Sequence, residues 1–357
     1  MSIIKVFAAV IIATMLRCGV LHASKDLWPT GNYSLPKPLS GCPKFWKEGW
    51  LKQHLENDAK TASKFSFNFH MNASIVMKEF IERTFCTKVL ETSVKRVWPK
   101  GFYCIYKKQN CPKDMLEGSI TWDDEDSKNR NDHGGTLPDL DTSFPGTKLY
   151  FCCQTQGKWY KSIELPIQKP FYLLPYSLNC QRVVGAISSL EYIIFNTEDF
   201  SNADKFNGHH VFSDKVQSLP KIYYCYYEGC QYKLQNDHGS FTSLNFPNNS
   251  YPDFQICSWS LAVNIFSRIS LKFLNLNIPN CKENYLDVYD GSSKNRSTLL
   301  VRFCGENATA DAKVISKVNH LYIVLKSGNN SARHSEDSVK SLEFYAEYEA
   351  FLEGALQ

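Results

Sequence analysis

The chain has none of the short motifs that mark common catalytic sites: no H-E-x-x-H, no G-x-S-x-G and no G-x-x-x-x-G-K. It has little net charge. Forty basic residues against 36 acidic ones leave +4, spread along the sequence, which offers no basic stripe for a nucleic-acid backbone. No C-x-x-C spacing occurs, so the adjacent Cys152 and Cys153 are not a dithiol redox pair. No tract is of low complexity. Beyond the first residues no apolar run approaches the ~20 residues of a membrane-spanning helix. These absences argue against an enzyme, a nucleic-acid binder and a membrane-spanning protein. No cofactor and no metal are expected.

What is present points outside the cell. Residues 1–23 have one early cation, Lys5, an apolar run from Val6 to Leu16, and small residues around Ala23. That is the layout of a secretory signal peptide, with cleavage expected near Ala23. Of 13 cysteines one, Cys18, lies in this segment, and the even remainder argues for disulfides. Six N-x-S/T triplets begin at Asn32, Asn72, Asn248, Asn295, Asn307 and Asn329, and are expected glycosylation sites of a secreted glycoprotein. The remaining length, about 330 residues, suggests two domains. Aromatics make up 14% and hydrophobic residues 43%, ample for packed cores.

The fold class expected is mainly all-β. In "RISLKFLNLNI" Ile269, Leu271 and Phe273 share one face, and in "SLEFYAEYEAF" Leu342, Phe344, Ala346 and Tyr348 do so. Turn-rich segments separate such runs, as in an antiparallel sandwich. Upstream, "SKFSFNFHM" alternates Phe65, Phe67, Phe69 and Met71 on one face. "ASIVMKEFIERTFC" is ambiguous between helix and strand.

Residues 230–349 resemble a CUB domain. The match rests on Cys230, "GSFTSLNFPNNSYPDFQICSW", "NCKENYLDVYDG", "RFCG" and "FYAEY". The resemblance implies a two-sheet jelly-roll β-sandwich with disulfides Cys230–Cys257 and Cys281–Cys304, and a protein-interaction role. Many CUB domains bind calcium through carboxylates. Here the corresponding positions are Asn284, Leu276–Asn277 and Gly328, so no calcium site is expected in this domain.

Residues 28–212 resemble the apextrin C-terminal domain, ApeC. "WPTGNYSLP", "SGCP", "TFCTK", "WPKGFYCIYKKQNCP", "GSITWDDED", "GGTLPDLD", "FCCQTQG", "ELPIQKPFYLL" and "CQRVVG" occur in family order. The resemblance implies a β-rich, disulfide-bonded extracellular domain, in a family associated with extracellular matrix and with recognition of bacterial peptidoglycan and muramyl peptides. Residues 213–229 are read as a linker. The ApeC segment holds Cys42, Cys86, Cys104, Cys111, Cys152, Cys153 and Cys180, an odd number. Cys225 makes eight and is expected to pair back into this domain, with the pairing among the eight open.

The candidate ligand residues are Trp122, Asp123, Asp124, Glu125 and Asp126. Carboxylates accept sugar hydroxyl hydrogens, and an indole packs on a sugar ring. The plainer reading of the same run is a solvated loop after the strand "GSITW", and a calcium site is a further one. The run lacks the alternate spacing of an EF-hand loop and any catalytic partner motif. Trp98, Tyr103 and Tyr106 are further aromatic candidates, and Lys95, Arg96, Lys100, Lys107 and Lys108 could meet carboxylates. The expectation is a secreted recognition protein, with peptidoglycan or another glycan bound by ApeC and a protein partner by CUB. The alternative is a matrix or mucus component without a microbial ligand.

Overall fold

The computed structural model describes residues 27–55, 62–89, 95–124, 129–143, 146–197, 203–216, 219–247, 251–328 and 342–352. The expected signal peptide lies outside them, as do Glu125, Asp126, Asn248 and Asn329. Regular structure among the described residues is all strand apart from two short 3-10 turns, Arg296–Thr298 and Gly305–Asn307. The chain forms two units, Met1–Val183 with Ser188–Gly229, and Val184–Ile187 with Cys230–Gln357.

In the first unit one hydrogen-bonded path runs through Lys64–Phe65, Ala186–Ile194, Leu219–Gly229, Phe171–Pro175, Tyr103–Lys107, Tyr33–Pro36, Phe80–Lys88, Lys47–His54 and Asp132–Gly135. The segment read as ambiguous is a hairpin. Ala73–Val76 pairs with Phe80–Lys88, and Met77 and Lys78 turn the chain at φ 54° and 61°. Side chains alternate along a strand, so Ile81 and Phe85 reach the core that also buries Leu51, Ile120, Leu149 and Tyr172.

Two readings are corrected. Residues 213–229 are not a loose linker. Ser213–Val216 and Leu219–Gly229 pair with each other, and the second strand also pairs with Phe171–Pro175. Ile222, Tyr223, Tyr224, Cys225 and Tyr227 are all buried. A strand covered on both faces shows no polar alternation, which is why its pattern did not stand out. The run "SKFSFNFHM" is likewise not one amphipathic strand. Its one strand is Lys64–Phe65, Met71 makes a single bridge to Pro38, Asn68 takes φ 56°, and Phe67 is 93% exposed.

The first unit contains the disulfides Cys42–Cys86, Cys104–Cys153, Cys111–Cys152 and Cys180–Cys225. Cys152 and Cys153 are neighbours on a strand and point to opposite faces, so they bond different partners. The last bridge fastens the Leu219–Gly229 strand to the loop around Cys180.

In the second unit Gln231–Leu234, Ile256–Ala262, His320–Lys326, Tyr285–Asp290 and Leu299–Phe303 form one sheet in that order. His238–Thr242, Glu343–Leu352, Ser267–Asn277 and Lys313–Ile315 form the other. Ile269, Leu271, Phe273, Phe344, Ala346, Trp259, Val288 and Ile323 fill the core between them. A register shift between Phe273 and Asn275 changes the parity, so Leu276 and Ile278 turn inward next. Cys230–Cys257 and Cys281–Cys304 are bonded in this unit.

Candidate functional site

The structure takes the acidic run apart. Trp122 is 1% exposed, in the core beside Phe195, with the Arg83 guanidinium 4.9 Å from its ring. It is not a rim residue. On the Leu116–Asp123 strand it is the inward position, and its apolar area makes burial the favoured outcome. Asp124 is fully buried as well. Gln53 Nε2 donates to Oδ1 at 2.6 Å, and Asn131 Nδ2 and Thr147 Oγ1 donate to Oδ2 at 2.7 and 2.5 Å. Desolvation raises its pKa to about 6, against the opposing pull of those three donors and Arg83. Asp123 accepts from the Ala203 N–H at 2.8 Å, and its own N–H donates to Asp204. These carboxylates hold loops together rather than face a ligand.

The other residues singled out by sequence are mostly structural too. Trp98, Tyr103 and Tyr106 are buried. Arg96 donates through Nη1 to Leu27 O at 2.8 Å and through Nη2 to Glu164 O at 2.9 Å. Lys107 pairs with Glu117 at 2.7 Å. Lys95 and Lys100 are exposed. His209 meets the Tyr176 hydroxyl at 2.9 Å while His210 meets Val211 O, so the pair does not converge. Asn32, Asn72, Asn295 and Asn307 are all at least partly exposed.

A different place in the first unit has the features of a ligand site. A cavity of about 430 Å³ lies among Trp28, Lys44, Phe45, Trp46, Lys88 and Lys169, and none of its lining residues is acidic. Its size falls within the usual ligand-pocket range. The local sequence explains the assembly. The Cys42–Cys86 bridge ties the loop that begins at Pro43 to the Phe80–Lys88 strand, two residues before Lys88. Lys169 Nζ donates to Cys42 O at 3.3 Å and joins a second loop to the first. Arg96 pins Leu27, and so the backbone that carries Trp28.

The walls are aromatic. Trp28 meets Trp46 edge-on at 5.3 Å and Phe171 at 5.1 Å, and Trp46 meets Tyr33 at 5.4 Å. Lys88 is buried, with its ammonium 5.7 Å from the Tyr33 ring centre and donating to Gly31 O at 3.4 Å. Phe45 is 69% exposed and sits at φ 70°, a region bulky residues rarely adopt. In the sequence "SGCP" and "WPTGNYSLP" stand out only as family marks. The available signal was the interleaving of cations and aromatics in "PKFWKEGW". It could not be read as a site, because Trp28, Lys88 and Lys169 arrive from three distant segments.

In the second unit none of the positions expected for calcium ligands carries a carboxylate, and their amide and backbone groups are engaged within the fold. Asn284 is fully buried; its Nδ2 donates to Pro279 O at 2.6 Å and its Oδ1 accepts from the Gly328 N–H at 2.8 Å. Both atoms of the amide are committed to backbone. At Gly328 an added Cβ would lie 2.3 Å from Glu283 Oε2 and 2.4 Å from its Cβ, so a side chain there would have to displace Glu283. The buried Asp287 carboxylate is held by Arg302 Nε at 2.6 Å, Arg302 Nη2 at 2.9 Å and Tyr289 at 2.8 Å.

Comparison with known families matches residues 28–227 to the C-terminal domain of apextrin and residues 230–337 to the CUB domain. Among curated proteins, membrane frizzled-related protein of Mus musculus is 33% identical over 101 residues, 28% of this chain and 17% of that protein. Bone morphogenetic protein 1 of Xenopus laevis is 33% identical over 121 residues, 33% of this chain and 16% of that protein. The chain thus spans less than a fifth of these relatives. The full extracellular region of zebrafish Gpr126/Adgrg6 aligns at 24% identity and a TM-score of 0.28, covering 35% of this chain and 15% of that one.

Proposed function

Since the chain belongs to the family of the C-terminal domain of apextrin and carries a CUB domain behind it, we propose that it is a secreted, non-enzymatic recognition protein for microbial cell-wall glycan. The two domain families make it an extracellular module that interacts with proteins and glycans. In the finer reading the first unit binds peptidoglycan or a related wall glycan, and the CUB unit engages a protein partner in an innate-immune or agglutinin-like role.

The observation that carries this reading is the cleft at Trp28, Phe45 and Trp46. Sugar rings present apolar faces that stack on aromatics, while their hydroxyl and anionic groups seek polar partners. The acidic run does not carry it, because Trp122 and Asp124 are buried.

The test is retention of the secreted chain on insoluble peptidoglycan, with soluble muramyl peptide as competitor. Saturable binding that the competitor removes, and that Trp46→Ala weakens, is expected. A correctly disulfide-bonded chain that ignores the wall material would overturn the reading and favour a matrix role.

A further inference from the structure

We infer that the Trp28–Trp46 cleft selects a saccharide ring bearing a carboxylate, and that phenylalanine rather than glycine fills the turn position of Phe45 because its ring meets that sugar. This rests on the glycan-binding reading above and names the ligand class.

The charge pattern is one-sided. Lys44, Lys88 and Lys169 line the cavity, and no acidic residue does. Lys88 is 4% exposed, so it acts where water screens poorly and an anion is attracted more strongly than at an open surface. Lys88 and Lys169 are held in place by Gly31 O and Cys42 O, so an anion that enters the cleft meets fixed cations and no carboxylate, whereas a neutral ring would use the aromatic walls alone.

The second observation is a choice of residue: Phe45 is the third residue of the turn closed by the Trp46 N–H on Pro43 O at 3.2 Å, so the turn sets its positive φ and glycine would fill the position more easily. A left-handed φ suits glycine, and a large side chain is kept there only when the surroundings or the function demand it. The Phe45 ring is largely in water, so the fold gains little from it. Its neighbours do not bury it. Lys44 Nζ lies 4.9 Å from its ring, so the tip of the loop carries a cation and an aromatic face side by side. That pairing suits a ring with an acid group attached.

A carboxylate attached to the sugar can come from a uronic acid or from the lactyl ether of wall glycan that has lost its peptide stem, and the assay separates them. The full secreted chain is titrated with three tetrasaccharides: neutral chitotetraose, hyaluronan tetrasaccharide, and peptide-free wall glycan of the same length. At least one acidic sugar should bind about tenfold or more tightly than chitotetraose, as expected for one added charge-assisted contact. The advantage should shrink as salt rises from about 50 mM. Lys88→Met should narrow it, and Lys169→Met serves if that variant does not fold. Phe45→Gly should weaken sugar binding while leaving the melting temperature unchanged or higher.

Preference for hyaluronan alone would sustain this inference and remove the microbial ligand. Retention on intact walls with equal affinity for all three sugars, or with none of them bound, would overturn the inference and leave the broader reading standing. Failure on both walls and sugars would sink both. Full sugar binding by Phe45→Gly would remove the role given to Phe45.

Discussion

Asp124→Asn should invert the order of stability of mutant and parent between acid and neutral pH. In the parent, burial raises the pKa of the carboxyl to about 6 from an unfolded value of 3.8. The folded state therefore holds the proton more tightly than the unfolded chain. Stability from this group is greatest below pH 4 and falls as pH rises to about 6. The loss is about 3 kcal/mol, since each tenfold difference in proton affinity between the two states is worth roughly 1.36 kcal/mol. The asparagine cannot ionise and loses nothing across that window. It does bring an N–H₂ against the donors of Gln53, Asn131 or Thr147, at a cost of about 1–3 kcal/mol.

The mutant should thus be less stable at pH 4 and equal or more stable at pH 7.5. For a unit of about 200 residues the swing corresponds to roughly 6–12 °C in melting temperature. Six of the seven tryptophans, all but Trp259, lie in the first unit, so tryptophan fluorescence follows its unfolding. A difference between mutant and parent that stays constant from pH 4 to 7.5 would refute the reasoning.

Further expectations concern the bridges, the buried indole and the second unit. Replacing Cys180 and Cys225 together with alanine should cost roughly 2–5 kcal/mol, because the bridge closes a loop of 45 residues and anchors a buried strand; denaturant unfolding under non-reducing conditions measures it. Trp122→Ala should destabilise the first unit by about 3–5 kcal/mol, and wall binding by whatever remains folded should match the parent, whereas Trp46→Ala should reduce binding with a smaller loss of stability. If Trp122→Ala abolished binding at full stability, the placement of the site would be wrong. Asn284→Ala should orphan the Gly328 N–H and Pro279 O at roughly 1–3 kcal/mol for each group. Calorimetry should show the second unit melting earlier in that variant and no calcium-dependent shift in the parent. A rise in the parent's melting temperature with millimolar calcium would contradict the donor set described.

Much of the molecule was legible as a string. The two-residue period along 268–273 and 342–348 predicts which side chains enter the sandwich core, because alternation follows from strand geometry whatever the neighbours are, up to the shift after Phe273. The domain order is likewise written in local motifs and cysteine spacing, and Cys225 is drawn to the first unit by parity of the count. Tertiary structure decided the rest. Trp122, followed directly by an acidic run, looks like an exposed sugar platform, but which face of its strand is covered depends on Phe195 and Arg83, far away in sequence. Asp124 looks solvated until Gln53, Asn131 and Thr147 close around it. The cleft is the clearest case, since Trp28, Trp46, Lys88 and Lys169 become neighbours only through long-range strand pairing and the Cys42–Cys86 bridge. A repeating pattern needs only the nearby chain to be read, whereas a binding site is a coincidence of distant segments in space.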